Sequence, residues 1–316
     1  MSTPSSPPSS SGSKVVLVML ATGKQGGGVV RALAEANCAV PEGQPLPYTI
    51  FAQTRSASSA KSRALAALPG VRTIEGTADA PETLFDAAGH VDAVFSVQLG
   101  LDNPKGLAGE FVQACALADA AAAHGVSHFV YTGANLGAQE KTGVPHLEVK
   151  RQVEAYLRTT HPTLPCTFLR PVTFMDQLLP GPSTVERVTT IMFLCQLSPN
   201  TRLQLVASSD IGRVAAVAFA APEKWVGRVV DVAGDALTPR EMESGWRTVM
   251  EREMRPNMMG GSALSWAIKN ATRDLRLMFK FFNDVGYNAD VAAAREVYPD
   301  MKDWTTFLRS EVKTDA

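Results

Sequence analysis

The chain has 316 residues, a formal charge of −1 and 45% hydrophobic residues, enough to bury a large core as one extended domain or two modest ones. The even charge balance gives no basic excess for direct nucleic-acid binding, and no apolar run approaches the roughly 20 residues that a membrane helix needs. Four cysteines (Cys38, Cys115, Cys166 and Cys195) lack C-x-x-C spacing and are expected as free thiols of a reducing compartment.

Residues 1–13, MSTPSSPPSSSGS, are low-complexity and are expected to be a disordered tail. The tail has no arginine and no amphipathic period, so it does not resemble a transit peptide, and cytoplasm or nucleus is the expected location. Apolar strands are then expected at 15–20, 48–53, 71–74, 92–97, 128–132 and 165–169, with helices between them at 26–37, 58–67, 81–88, 106–123 and 147–159. This alternation predicts βαβ units and a doubly wound parallel α/β sheet of Rossmann type, with helices on both faces. Ligands of such sheets bind beyond the carboxyl ends of the strands.

After Pro171 the rhythm breaks. Residues 174–195 are rich in Met, Phe and Leu; 210–223 and 238–254 read as helices, 228–233 as a short strand, and 256–282 as one helix opened by a Gly-Gly turn. The expected division is a dinucleotide-binding domain at 14–172 and a smaller mixed α/β region at 173–316, partly interleaved with the sheet, with the ligand cleft between them.

The most telling segment joins the first strand to its helix, VVLVML-ATGKQGGGVV at 15–30. A glycine turn at a helix N-terminus presents unpaired N–H groups and partial positive charge to a pyrophosphate. Gly23 and Gly26 fall on two glycines of a G-x-x-G-x-x-G turn, whereas Leu20 occupies the first glycine position. Ala21, Thr22, Gly23, Lys24, Gln25 and Gly26 are therefore candidate cofactor-binding residues; a plain tight turn is the alternative. The second strand ends in Gln53-Thr54-Arg55-Ser56, with no acid to accept from ribose hydroxyls. Arg55 could instead grip a 2′-phosphate in a charge-assisted fork, so NADP(H) is preferred over NAD(H). Thr77 and Gln98, after the third and fourth strands, are further candidates for the dinucleotide.

These segments, with FAQTR at 51–55, VPHLEVKRQVEAYL at 144–157, FLRPVTFMDQLL at 168–179 and the stretches 210–242 and 281–308, resemble the NmrA-like proteins, atypical members of the short-chain dehydrogenase superfamily. The resemblance spans about 14–310. It implies a phosphate role for Arg55 and a backbone passing under the nicotinamide at Pro171. Active short-chain dehydrogenases carry a Tyr four residues before a Lys on one helix face. The lysine binds the nicotinamide ribose and the tyrosine exchanges a proton. Here the pair reads His146–Lys150. Lys150 is expected to bind the ribose, and His146 is a candidate proton donor or, alternatively, a capping residue of the helix start. The usual upstream serine is absent, with Thr132 and Asn135 as candidate substitutes. Phe174 and Met175 are candidate substrate contacts.

Two functions follow from the resemblance. One is an NADPH-dependent reductase of a small aromatic or conjugated acceptor (quinone, imine or enone), catalysed by Lys150 and His146. The other is a non-catalytic NADP(H) redox sensor that regulates a partner protein. No metal, no direct nucleic-acid contact and no membrane association is expected.

Overall fold

A computed structural model describes residues 12–312; most of the tail expected at 1–13 lies outside the described residues. Seven strands form the main sheet: β1 (Lys14–Val18), β2 (Tyr48–Thr54), β3 (Val71–Glu75), β4 (Ala93–Ser96), β5 (His128–Thr132), β6 (Cys166–Pro171) and, from far along the chain, β9 (Val229–Val232). They lie in the order β3-β2-β1-β4-β5-β6-β9, every pair parallel. Strand order reverses between β1 and β4, which opens a crevice at their carboxyl ends. All residues of β4 and β5 are buried, as a sheet covered on both faces requires.

Helices α1 (Lys24–Cys38), α2 (Ala60–Ala66), α3 (Pro81–Ala88), α4 (Gly106–Ala123) and α5 (Pro145–Thr160) make the crossovers. α7 (Ser208–Ala220), contributed by the second half of the sequence, packs against α1. The approach is backbone to backbone: a Cβ on Gly212 would collide with Gly28 and Val29. β9 and α7 therefore belong to the nucleotide half, and the chain re-enters that half after leaving it at Pro171.

The smaller region has its own three-stranded sheet, β10 (Asp235–Leu237), β8 (Leu203–Val206) and β7 (Thr173–Phe174), antiparallel at the first pairing and parallel at the second. α6 (Thr184–Gln196) and α9 (Pro239–Met250) start with reciprocal capping boxes, Ser183 with Glu186 and Thr238 with Glu241, which satisfy two otherwise orphaned donors each. A second core, separate from that of the main sheet, packs Phe193, Phe279 and Phe282 against Trp246 and Trp304.

The helix expected at 256–282 is two helices, α10 (Gly261–Ala271) and α11 (Arg273–Asp284), because Thr272 between them is extended at φ −101°. The first strand stops at Val18 rather than at residue 20, since Leu20 turns into the left-handed region at φ 46°. Among the described residues, no helix is long and apolar enough to cross a membrane.

Candidate functional site

The turn after β1 is held by one buried side chain. Gln53, 1% exposed at the end of β2, accepts from the Leu20 N–H through Oε1 at 2.8 Å and donates through Nε2 to the Gly76 carbonyl at 2.6 Å. The position expected to choose between nucleotides therefore ties three strand ends together. A left-handed conformation costs a non-glycine residue roughly 1–2 kcal/mol, and the Gln53 bond helps to hold Leu20 there.

α1 begins beyond Gly23, which caps it with no side-chain bond and no acid in the first turn, leaving the first amides of the helix for a ligand. Gly26 serves packing. A Cβ there would lie 2.5 Å from both the Met19 and Leu20 carbonyl oxygens, so the helix can sit on the strand end only with glycine at this position. An uncapped helix start, a turn too close for side chains and a cavity running away from it together fit the pyrophosphate of a dinucleotide.

That cavity measures about 950 Å³. One wall is the turn, with Leu20, Gly23, Lys24, Gln25 and Gly26; the next is formed by Gln98 and Glu110; then come His146, Lys150, Pro171 and Phe174, and across the cleft Phe193, Trp246, Met278 and Phe282. A second depression of about 270 Å³ on the other side of the turn is lined by Ala21, Thr22, Lys24, Arg31 and Lys61. Its three cations suit a phosphate monoester. Lys24 also reaches across the cleft to the Asp176 carbonyl at 3.2 Å.

His146 and Lys150 stand one turn apart near the start of α5. The Lys150 ammonium meets Glu110, whose side chain is 1% exposed, at 2.5 Å. Among the described residues no other group pairs with the Glu110 oxygens, so the carboxylate is compensated by Lys150. Beneath it Tyr131 is fully buried with its hydroxyl unpartnered; burial, reinforced by Glu110 and Glu154, pushes its pKa well above the usual range. Glu154 is held by Arg170 in a two-point pair at 2.9 and 2.6 Å. The His146 imidazole is bound through Nδ1 to Asp274 of α11, whose second oxygen accepts from the His146 backbone N–H at 3.0 Å.

The expected site residues thus fall into three groups. Gly23, Lys24, Gln25, Gly26, Gln98, His146, Lys150, Pro171 and Phe174 line the cavity, with Ala21 and Thr22 in the neighbouring depression. Gln98 donates to Ser96 at 3.1 Å, and its buried Oε1 has no partner. Arg55 and Thr77 are exposed and line neither cavity. Met175 corrects the expectation of a substrate contact: it is 0% exposed within the second core. The candidate substitutes for the missing serine are already engaged. Thr132 donates to Gln25 Oε1 at 2.8 Å, and Asn135 donates to Asp231 while accepting from Gly137.

Asp274, Glu110, Lys61 and Arg31 were not legible as site residues. Glu110 carried one usable signal, a lone acid in the first half of the Ala- and Leu-rich helix GLAGEFVQACALADAAAA. Asp274 carried none, lying 128 residues from its partner.

The sequence pattern described as the NmrA-like family matches residues 12–308. A (4-alkanoyl-5-oxo-2,5-dihydrofuran-3-yl)methyl phosphate reductase of Streptomyces griseus is 30% identical over 80% of this chain and 80% of its own. An NmrA-like family domain-containing oxidoreductase of Aspergillus hancockii is 23% identical over 77% of this chain and 74% of its own. The fold matches NmrA, a negative transcriptional regulator solved in complex with NADP (TM-score 0.68, 18% identity, 96% of this chain and 97% of the other). It also matches the Citrobacter triphenylmethane reductase complexed with NADP(H) (TM-score 0.67, 20% identity, 93% and 98%). With a family pattern spanning nearly its whole length, the chain belongs to the NmrA-like family.

Proposed function

We propose that the protein is an NADPH-dependent reductase of a small aromatic or conjugated acceptor of quinone, imine or enone type. The observation that carries this reading is the placement of His146 and Lys150 on the wall of a largely apolar cavity that begins at the uncapped start of α1. The reductases of Streptomyces griseus and Citrobacter support it by likeness, and the NADP complex of NmrA supports the choice of nucleotide.

When bound, the reduced nicotinamide supplies a hydride. The amides of the turn and Lys24 hold the pyrophosphate. Arg55 and Thr77, both at the carboxyl edge of the sheet, belong to the adenosine end, where Arg31 and Lys61 add positive charge for the 2′-phosphate. Gln98, Lys150 and Pro171 face the nicotinamide end; Phe174 and the aromatic far wall exclude water from the acceptor; and His146 delivers the proton. The four unpaired cysteines support a reducing compartment, cytoplasm or nucleus.

A second reading has two observations in its favour, the likeness to NmrA, a negative transcriptional regulator, and the neutralisation of Lys150 by Glu110, as suits a protein that binds NADP(H) and reports its state to a partner. Steady-state NADPH oxidation against a panel of quinones, imines and enones separates the two. Acceptor-dependent oxidation is expected. No oxidation with any acceptor, combined with altered protease sensitivity on binding NADPH, selects the sensor; a sensor must have different affinities in its two states.

A further inference from the structure

We propose that Asp274 is a positioning residue for His146: it fixes the imidazole as the Nδ1–H form and leaves Nε2 as the atom that carries the proton to the acceptor. The catalytic half of this inference rests on the reductase reading; the tautomer half does not.

α5 starts without a side-chain cap, because its preceding residue is Val144. Glu148 turns back to serve the amides of Thr142 and Gly143, which leaves the His146 amide to be satisfied from elsewhere. Asp274, second residue of α11, supplies that partner across the cleft, with Oδ2 on the His146 N–H and Oδ1 on the imidazole Nδ1. A carboxylate is acceptor-only when ionised, so the ring nitrogen facing it must carry hydrogen. Its backbone contact also fixes where that carboxylate sits. The side chains of the pair are only 21% and 10% exposed, where a charge-assisted bond is stronger than at the surface. Nε2 has no partner among the described residues, and the ring lines the cavity.

The step then balances. With a reduced nicotinamide dinucleotide as hydride donor, the acceptor carbon gains the hydride and its two electrons. The acceptor heteroatom gains the Nε2 proton of the His146 imidazolium, whose charge the Asp274 carboxylate offsets, and the N–H electron pair stays on the ring while the nicotinamide is left oxidised. The imidazole left behind is the neutral Nδ1–H form that Asp274 already holds, and solvent returns the proton to Nε2.

Asp274→Asn keeps an oxygen for the helix cap but turns an amide N–H₂ towards Nδ1, which favours the Nε2–H form. An equivalent exchange in a serine-protease triad is known to install the wrong tautomer. The full-length ¹⁵N-labelled protein without nucleotide is measured by long-range imidazole correlation spectra, with His146 assigned by its loss in His146→Phe. In spectra taken at alkaline pH, where an imidazole is neutral and has a single N–H, the expected result is Nδ1–H in the wild type and a change to Nε2–H in Asp274→Asn. With the most rapidly turned-over acceptor of the panel, kcat of Asp274→Asn should fall at least about tenfold, with KM for NADPH within about threefold of wild type. An Nε2–H wild-type ring overturns the proposal even if Asp274→Asn fails to fold. So does an unchanged tautomer or an unchanged kcat in a folded variant. If the wild type reduces no acceptor, the reductase reading fails by itself, and the wild-type tautomer still decides whether Asp274 positions the ring.

Discussion

The turn between β1 and α1 and the wall formed by α5 face each other across the same cavity, yet they are built on opposite plans. In the turn, the groups that matter are backbone amides at the start of α1, beside a strand end that Gln53 holds from β2. On the α5 wall the two candidate catalytic side chains are already committed, Lys150 to Glu110 and His146 to Asp274. The difference teaches that holding a nucleotide needs donors kept free, whereas acid–base chemistry needs side chains held in one orientation before a ligand arrives.

The strongest way to break this contrast is at Gly26. A valine there drives its Cβ into two carbonyl oxygens, so Gly26→Val should weaken NADPH and NADH alike by more than about a hundredfold, roughly 3 kcal/mol, and lower the melting temperature as well. Calorimetric titration and thermal unfolding of the same sample check both. Lost binding with unchanged stability would return Gly26 to a purely ligand-facing role.

On the other wall, Lys150→Ala should destabilise the fold by about 3–5 kcal/mol, because it strands a buried carboxylate. Adding Glu110→Gln should recover much of that loss without restoring turnover. Chemical denaturation of the single and double variants measures it; a single variant as stable as wild type would mean that Glu110 is not held as a charge.

A third test sets the pH range in which either wall can be assayed. His128, buried at the start of β5, is bonded through Nε2 to Thr167 at 2.8 Å. The Thr167 hydroxyl itself donates to the Trp225 carbonyl, so the imidazole must be the donor to Thr167. Burial, and secondarily the Lys14 charge, lower its pKa to about 4. The unfolded chain takes up that proton near the ordinary histidine value of 6.5. Stability is therefore complete above 6.5 and declines as pH falls towards 4, by at most about 3 kcal/mol at 1.36 kcal/mol per pKa unit. His128→Gln should flatten this slope in urea titrations taken at successive pH values; an equal slope in the variant assigns the acid sensitivity elsewhere.

The smallest expected effect is the most selective. Arg55→Ala should weaken NADPH about tenfold, roughly 1.4 kcal/mol, and leave NADH nearly unchanged. Because Arg31 and Lys61 also stand near the turn, Lys61→Ala and Arg31→Ala are the informative companions. Equal loss for both nucleotides in any of the three would mark that residue as structural.

Much of the nucleotide half was legible from apolar runs and glycines, because a parallel sheet buried on both faces writes its strands as unbroken hydrophobic stretches. The α5 pair was legible through the resemblance, which sets His146 and Lys150 at the positions of the Tyr–Lys pair of active dehydrogenases. The partners were not. Gln53 was quoted beside Arg55 at the end of β2 but given no role, since a buried glutamine bridging two backbones looks the same in sequence as one facing solvent. β8 and β10 escaped because strands of four and three residues carry too few positions to show a period, and Thr272 gives no glycine or proline to mark the break between α10 and α11.

The glycine-to-glycine crossing of α1 and α7 has a mechanical consequence. Two helices whose backbones touch cannot slide without a collision, and the strand that follows α7 is stitched into the main sheet. The back of the cleft is therefore expected to act as a fixed frame rather than as a hinge. Any motion that admits a ligand is expected instead in α10, which packs on α6, and in α11, which carries Asp274. Amide hydrogen exchange should therefore be slowest along the α1–α7 seam and faster along residues 261–284; uniform protection of both would show a cavity that fills without a moving part.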